Sequence, residues 1–164
     1  MISPNSSAAL EIEGRSPAID QLDEDSVAAL IFTADGRYLL QHRESRSGIS
    51  YPNWWSLFGG AREHGERAED AIRRELMEEL EFTALKCVPF LGCSYEFWLE
   101  GQLTRKIFFS VPANERETQG LVQREGQGMA WLRLDEIIAR GGHIVPYDLG
   151  VIALHHSWQA YDRR

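Results

Sequence analysis

Cysteine is scarce in this chain, with only Cys87 and Cys93 among 164 residues. Two cysteines at that spacing build neither a paired zinc knuckle nor a disulfide-dense scaffold. Both are read as small buried hydrophobes in a reducing, cytoplasmic setting. No apolar run approaches the ~20 residues of a spanning helix. The N-terminus, MISPNSSAALEIEGRS, lacks the basic start and apolar centre of a signal peptide. No membrane association is expected. Positive charge is also in short supply: 17 Lys and Arg stand against 25 Asp and Glu, a formal net charge of −8. Such an acidic chain has no general attraction for phosphate backbones. With no basic run or aromatic platform either, nucleic acid is not expected as a partner.

What is present fits one globular domain. Apolar residues make up 43% and charged residues 26% of the chain, enough for a single proper core. Residues 1–24 are polar and irregular, with Pro4, Pro17 and several serines, and are expected to be a mobile leader. Residues 25–164 are expected to form the domain. The segment SVAALIFTADGRYLLQHRES reads as two apolar strands around the turn Ala34 to Arg37. RSGISYPNWWSLFGG reads as a loop and then a short strand ending at Gly59 and Gly60. A long hairpin turning at Glu100-Gly101-Gln102 follows a central helix, and residues 113–128 read as a loop. MAWLRL is one more strand, DEIIARGG a short helix closed by Gly141 and Gly142, and Pro146 to Tyr161 a final helix. This order of strands, helix, strands and helix gives an α+β architecture with a mixed sheet.

The central helix carries the chemistry. In GGAREHGERAEDAIRRELMEELEF, residues 59–82, Ile72, Leu76 and Leu80 recur every fourth position. At ~100° per residue, Glu75, Glu78 and Glu79 fall within an arc of roughly 100° beside that stripe, and Ala68 and Ala71 leave space on the same side. Like charges at this spacing repel and raise one another's pKa. A hard divalent cation, which takes several carboxylate oxygens at once, relieves both penalties. An ordinary acidic helix face carries its charges opposite the core. Here they abut the core, which favours a metal site.

The same residues resemble the Nudix box, the signature of the Nudix hydrolases. Gly60, Glu66, Arg74, Glu75, Leu76, Glu78, Glu79 and Phe82 stand in register with it. Two positions depart. Phe58 replaces a common proline, and Glu81 stands where the family has glycine. That glycine normally closes the helix in the left-handed conformation, which other residues adopt less readily.

The resemblance implies an α/β/α sandwich with a central mixed sheet between helices, and a Mg2+ cofactor, with Mn2+ as a substitute. It makes Glu78 and Glu79 the direct metal ligands, with Glu75 a ligand or the general base. Glu66 orients that shell or binds a further ion, the Gly59 carbonyl joins it, and Arg74 holds the acids in position. Glu125-Gly126-Gln127 is similar to a MutT-type loop whose glutamate reaches back to the metal. Arg43, at a strand end, is an expected phosphate ligand because its planar fork matches phosphate oxygens. Gly60 and Asp148 complete the substrate contacts, Asp148 at the position where relatives read the base.

The implied activity is a Mg2+-dependent pyrophosphohydrolase acting on a small-molecule nucleoside diphosphate derivative. Nucleoside triphosphates, oxidised ones included, come first; ADP-ribose, nucleotide sugars and a non-catalytic nucleotide-binding role stay open. A homodimer is open by analogy. The isoprenoid diphosphate isomerases share this fold but need a cysteine before the box, and residues 44–60 contain none. Among the histidines, no pair neighbours a serine or cysteine in a way that suggests covalent catalysis. His155 and His156 are expected to be partly exposed.

Overall fold

The computed structural model describes residues 26–97 and 102–162. The leader and the hairpin tip at Glu100 and Gly101 lie outside them. Strand β1 (Ser26–Phe32) has no polar residue after Ser26, and such a strand must be covered on both faces. It pairs in parallel with β5 (Gln102–Pro112), placing Val27 opposite Ile107 and Ile31 opposite Val111. It meets β2 (Tyr38–His42) antiparallel through Phe32 and Tyr38. Beyond them, β2 also pairs with β3 (Trp55–Ser56) and β6 (Gly128–Leu132), and β5 with β4 (Val88–Phe97). The sheet order is β3-β2-β1-β5-β4, with β6 on β2.

Alternation along the strands sorts side chains into two cores. Val27, Ala29, Ile31, Ile107 and Phe109 meet Ile72, Leu76 and Leu80 of α1 (Ala68–Leu80). Ala28, Leu30 and Phe108 meet Ile137 of α3 (Leu134–Arg140) and Val151 and Ile152 of α4 (Pro146–Asp162). The mixed sheet therefore lies between helices, as the α/β/α reading requires.

Four local expectations change. The short strand does not run to the glycines. It covers Trp55–Ser56, and the chain then follows β1 through isolated bridges, Phe58 to Ala29 and Ala61 to Ser26. The stretch 113–128 is not all loop, because α2 (Glu115–Gln119) occupies part of it. Asn114 Oδ1 accepts from the Glu117 N–H at 3.0 Å, and Glu117 Oε2 accepts from the Asn114 N–H at 2.8 Å. This capping box is written in the sequence as Asn-x-x-Glu.

Ala68 and Ala71 pack into the core rather than beside the acids. Finally, His155 is fully buried. Its Nδ1 lies 2.8 Å from the Tyr38 hydroxyl and its Nε2 2.9 Å from Ser110 Oγ, partners supplied by β2 and β5. Burial lowers its pKa to about 4, so this serine–histidine contact holds a neutral ring and is a poor base near neutrality.

Candidate active site

Helix α1 tolerates its crowded acids because its other face is anchored. Ile72, Leu76 and Leu80 are 0% exposed, and each such side chain contributes roughly 1.5–3 kcal/mol. A like-charge pair at i,i+4 costs only about 0.2–0.5 kcal/mol. Burial wins, and the carboxylates are carried where the core puts them.

Arg74 gathers three of them. Its Nε and Nη2 donate to Glu66 Oε1 and Oε2 at 2.9 and 3.0 Å, a two-pronged contact. Its Nη1 donates to Glu75 Oε1 at 2.8 Å and to Glu78 Oε2 at 3.2 Å. Nη2 also donates to the Ala61 carbonyl at 3.0 Å, tying the helix to the glycine turn. The guanidinium, helped by the Glu63 N–H, lowers the Glu66 pKa to about 2. Arg74 is itself held more firmly protonated by Glu66 and Glu75.

Glu79 is treated differently. It is buried and accepts the Gly59 N–H on Oε2 at 2.9 Å, and no ion pair reaches it among the described residues. Burial first, then the charges of Glu75 and Glu125, push its pKa up to about 8. Glu75 is also raised by burial, with Arg74 opposing.

The two glycines serve different ends. Gly59 has φ +134°, and a side chain there would stand 2.3 Å from the Val27 carbonyl oxygen, so the backbone can lie against β1 only as glycine. At Gly60 a Cβ would meet the Glu75 carboxylate at 2.6 Å. The space beside the acids is thus left by Gly60, not by the helix alanines.

Glu75, Glu79 and Glu125 line one cleft of about 270 Å³ together with Gly59, Gly60, Gln41 and Arg43. The Arg43 stem is fixed by its Nε donating to the Ser50 carbonyl at 3.0 Å. Two larger hollows, about 690 and 680 Å³, share Phe32 and Pro112 and hold one acid each. Glu66 and Glu78 lie behind Arg74 and are not in the lining of the cleft. Asp148 is also separate, in the first turn of α4, with Oδ2 accepting the Leu57 N–H at 2.9 Å.

Glu125 is delivered by a loop stitched on both sides. On one side the Val122 and Arg124 N–H groups donate to the Leu80 and Glu79 carbonyls at 3.0 and 2.8 Å. On the other, the Gln127 N–H donates to the His42 carbonyl at 2.8 Å, and Gln127 Nε2 to the Arg43 carbonyl and Asn53 Oδ1, both at 2.7 Å.

The helix does close at Glu81, which takes the left-handed conformation at φ 51°, ψ 33° without being glycine. The Glu81 N–H donates to the Met77 carbonyl at 3.0 Å, and the Phe82 N–H to the Leu76 carbonyl at 3.1 Å. The bond from the Glu81 N–H to Met77 is the 5→1 bond of an αL closure, with Phe82 buried and Arg124 paired to the Glu81 carboxylate. A non-glycine residue here costs about 1–2 kcal/mol, which these contacts offset.

The donors around the cleft are all oxygen, the chemistry a hard divalent cation takes. Glu79, a buried acid with no ion pair among the described residues and only the more distant charge of Arg43 to offset it, is the group that gains most from one. Glu79 and Glu125 would hold it, with the Gly59 carbonyl as the expected backbone donor and Glu75 beside them in the same cleft. As the side chains lie, no three His, Cys, Asp or Glu among the described residues converge closely enough to enclose an ion. Two residues near the site escaped the sequence reading. Gln41 lines the cleft and Lys106 is a half-buried strand lysine, while Gln127, named there only as part of the loop motif, ties its loops. Alternation with Phe108 was the one signal for Lys106, since it placed a charge on the inward-facing side of β5.

Comparison with known proteins gives one answer. The NUDIX domain family matches residues 23–149. The nucleoside triphosphatase NudI of Escherichia fergusonii is 32% identical over 127 residues, covering 71% of this chain and 82% of that protein. The solved structure of the E. coli ORF135 protein aligns with TM-score 0.65 at 25% identity, covering 83% of this chain and 90% of that one. A MutT structure from work on Aliivibrio salmonicida and Vibrio cholerae aligns with TM-score 0.59 at 26% identity, covering 79% and 97%.

Proposed function

The chain belongs to the Nudix hydrolases, which act on the diphosphate bonds of nucleotides, and from that premise we propose a Mg2+-dependent pyrophosphohydrolase. Its substrates would be nucleoside triphosphates, oxidised ones included, and its products a nucleoside monophosphate and pyrophosphate. The catalytic domain would be residues 25–164, working in the cytoplasm. The observation that carries the reading is the division of the acids. Arg74 neutralises Glu66 and part of Glu75 and Glu78, while Glu79 is buried in the cleft without a cationic partner. The named activity of the NudI relative supports the choice of triphosphates.

In this mechanism a bound Mg2+ supplies charge neutralisation for the diphosphate and a lowered pKa for the attacking water. Arg43, fixed at the cleft wall, binds phosphate oxygens. Glu75 takes the water's proton as the water's oxygen bonds to phosphorus and the bridging P–O bond of the diphosphate breaks, freeing pyrophosphate from the nucleoside monophosphate. It lines the cleft, and burial raises its pKa above the ordinary carboxylate range, with Arg74 opposing, which makes it a stronger base than an exposed acid. Glu78, 59% exposed and turned to Arg74, serves as its electrostatic neighbour instead. Arg74 keeps the Glu75 carboxylate oriented through Oε1. The test is incubation of deoxynucleoside triphosphates with Mg2+ and separation of products. Monophosphate plus pyrophosphate, lost with EDTA, is the expected result. Saturable nucleotide binding with no product would overturn the reading.

A further inference from the structure

Glu125 and Arg43 reach the cleft from separate stretches of chain and are anchored differently. The Glu125 loop hangs from α1 through the Val122 and Arg124 N–H groups, which keeps it with Glu79. Arg43 instead opens a segment, 43–54, that closes on itself. The Arg43 N–H donates to the Trp54 carbonyl at 2.9 Å and the Asn53 N–H to the Glu44 carbonyl at 3.1 Å. Asn53 Nδ2 also donates to Ser45 Oγ at 2.9 Å. Tyr51 and Asn53 take left-handed backbone, at φ 52° and 62°, without being glycine. Each such residue costs on the order of 1–3 kcal/mol and persists only where its surroundings over-determine it.

One side chain joins this segment to the acid loop. The Gln127 amide nitrogen has two hydrogens. They go to the Arg43 carbonyl and to Asn53 Oδ1, both at 2.7 Å. A carbonyl only accepts, so the Arg43 oxygen fixes the amide with its nitrogen inward. That nitrogen in turn fixes Asn53 with Oδ1 toward it. Gly126, at φ +83°, lets the loop lie flush against the end of β2, since a Cβ there would stand 2.8 Å from the His42 carbonyl oxygen. Gln127 and Asn53 are both exposed, and a hydrogen bond adds only about 0.5–1.5 kcal/mol to folding. The fold gains little from this clasp, yet it spans the interval between the phosphate side of the cleft and the acid side.

We propose that Gln127 is a positioning residue, which holds Arg43 at a fixed distance from Glu79 and Glu125 so that one phosphate chain meets the arginine and the metal-binding acids together. The inference rests on the nucleotide-hydrolase reading and deepens it. A polyphosphate gripped at two points binds tightly only if the span between the grips already matches it. Cutting the side chain leaves the Gln127 N–H on the His42 carbonyl and β6 paired to β2. The acid side then stays in place, and the Arg43 side alone loosens.

The experiment reads, in Gln127→Met and Asn53→Gly, the calorimetric affinity for Mn2+ alone and for α,β-methylene dGTP with Mg2+. Melting temperature and kcat/KM for dGTP are measured beside them. Gln127→Met is expected to melt close to wild type and to hold Mn2+ within about twofold. It should bind the analogue about tenfold more weakly and lose about tenfold or more in kcat/KM. Asn53→Gly removes Oδ1, while glycine suits the left-handed backbone. It is expected to melt no lower than wild type and still to lose analogue affinity, whereas under a merely structural role binding would follow the melting temperature. Undiminished analogue affinity in Gln127→Met overturns the inference. So does a loss shared equally with Mn2+ alone, which would put the side chain in the service of the acids only. The expected binding pattern with no turnover of any nucleotide supports the inference and overturns the hydrolase reading alone.

Discussion

A side chain at Gly60 would stand 2.6 Å from the carboxyl carbon and both oxygens of Glu75. The obstacle is the far end of a flexible side chain, so the structure can yield there by turning Glu75 aside. Its neighbour Gly59 faces backbone, 2.3 Å from the Val27 carbonyl oxygen, which cannot move without opening the sheet. Gly60→Ala is expected to fold with a stability loss under about 1 kcal/mol and to lose turnover by roughly 100-fold. Gly59→Ala is expected to lose several-fold more stability, about 3 kcal/mol or more. Chemical denaturation and steady-state kinetics on both variants check the contrast. Equal destabilisation would refute it.

Arg74 is expected to be irreplaceable even by lysine. Lysine cannot form the two-pronged contact with Glu66 while reaching Glu75 and Glu78. Arg74→Lys and Arg74→Met should each lower kcat by about 100-fold or more. In the wild type the Glu66 pKa is about 2 against 4.5 unfolded. A lowered acid pKa stabilises the fold above pH 4.5, and that share is lost as pH falls toward 2. An NMR titration of Glu66 should move back toward 4.5 in Arg74→Met. A value that stayed near 2 would deny Arg74 this role.

Glu79 works in the opposite sense. Its folded pKa of about 8 exceeds the ordinary 4.5. Stability is therefore full below pH 4.5 and falls as pH rises toward 8, by on the order of 5 kcal/mol without a cation. Glu79→Gln keeps an acceptor for the Gly59 N–H and removes the charge. In EDTA at pH 8 it should melt several degrees above wild type, yet gain little from added Mg2+, whereas the wild type gains by mass action. A variant that melts lower in EDTA would contradict the assignment.

His155 sets the acid limit at the other end of the sheet. Its folded pKa of about 4 lies below the ordinary 6.5. For a base this means full stability above pH 6.5, lost as pH falls toward 4 while the unfolded chain alone takes the proton. The expected loss is about 3 kcal/mol, read as a falling denaturation midpoint between pH 6.5 and 4. His155→Ala removes one partner each from Tyr38 and Ser110 and empties a buried site, costing about 3 kcal/mol at pH 7, and should flatten that pH dependence. An unchanged slope would place the acid sensitivity elsewhere.

The elements that repeat a short-range pattern were legible in the sequence. The every-fourth stripe of Ile72, Leu76 and Leu80 announced α1, and the apolar runs on either side of the Ala34 to Arg37 turn announced two strands. The acid positions were equally plain, because the spacing within one helix fixes which side chains share a face. What escaped depends on partners far along the chain. Ser110 and His155 are 45 residues apart and Tyr38 and His155 are 117 apart, so no local pattern marks that buried ring. Whether Glu78 turns toward the cleft or toward Arg74 depends likewise on the Glu66 loop, not on the helix. Asn114-x-x-Glu117 was a local signal and was passed over because glycine and polar residues around it read as loop.

The left-handed turn at Glu81 ties the fate of a distant loop to one helix end. Val122 and Arg124 hang from the last carbonyls of α1, and Arg124 grips Glu81, so Glu125 keeps its alignment with Glu79 only while that final turn stays wound. Fraying of a single turn would cast off the loop and its acid, at the cost of baring Leu80, while the strands stay paired. Heat would then silence this enzyme at a temperature where its sheet is still intact, and cooling would restore it.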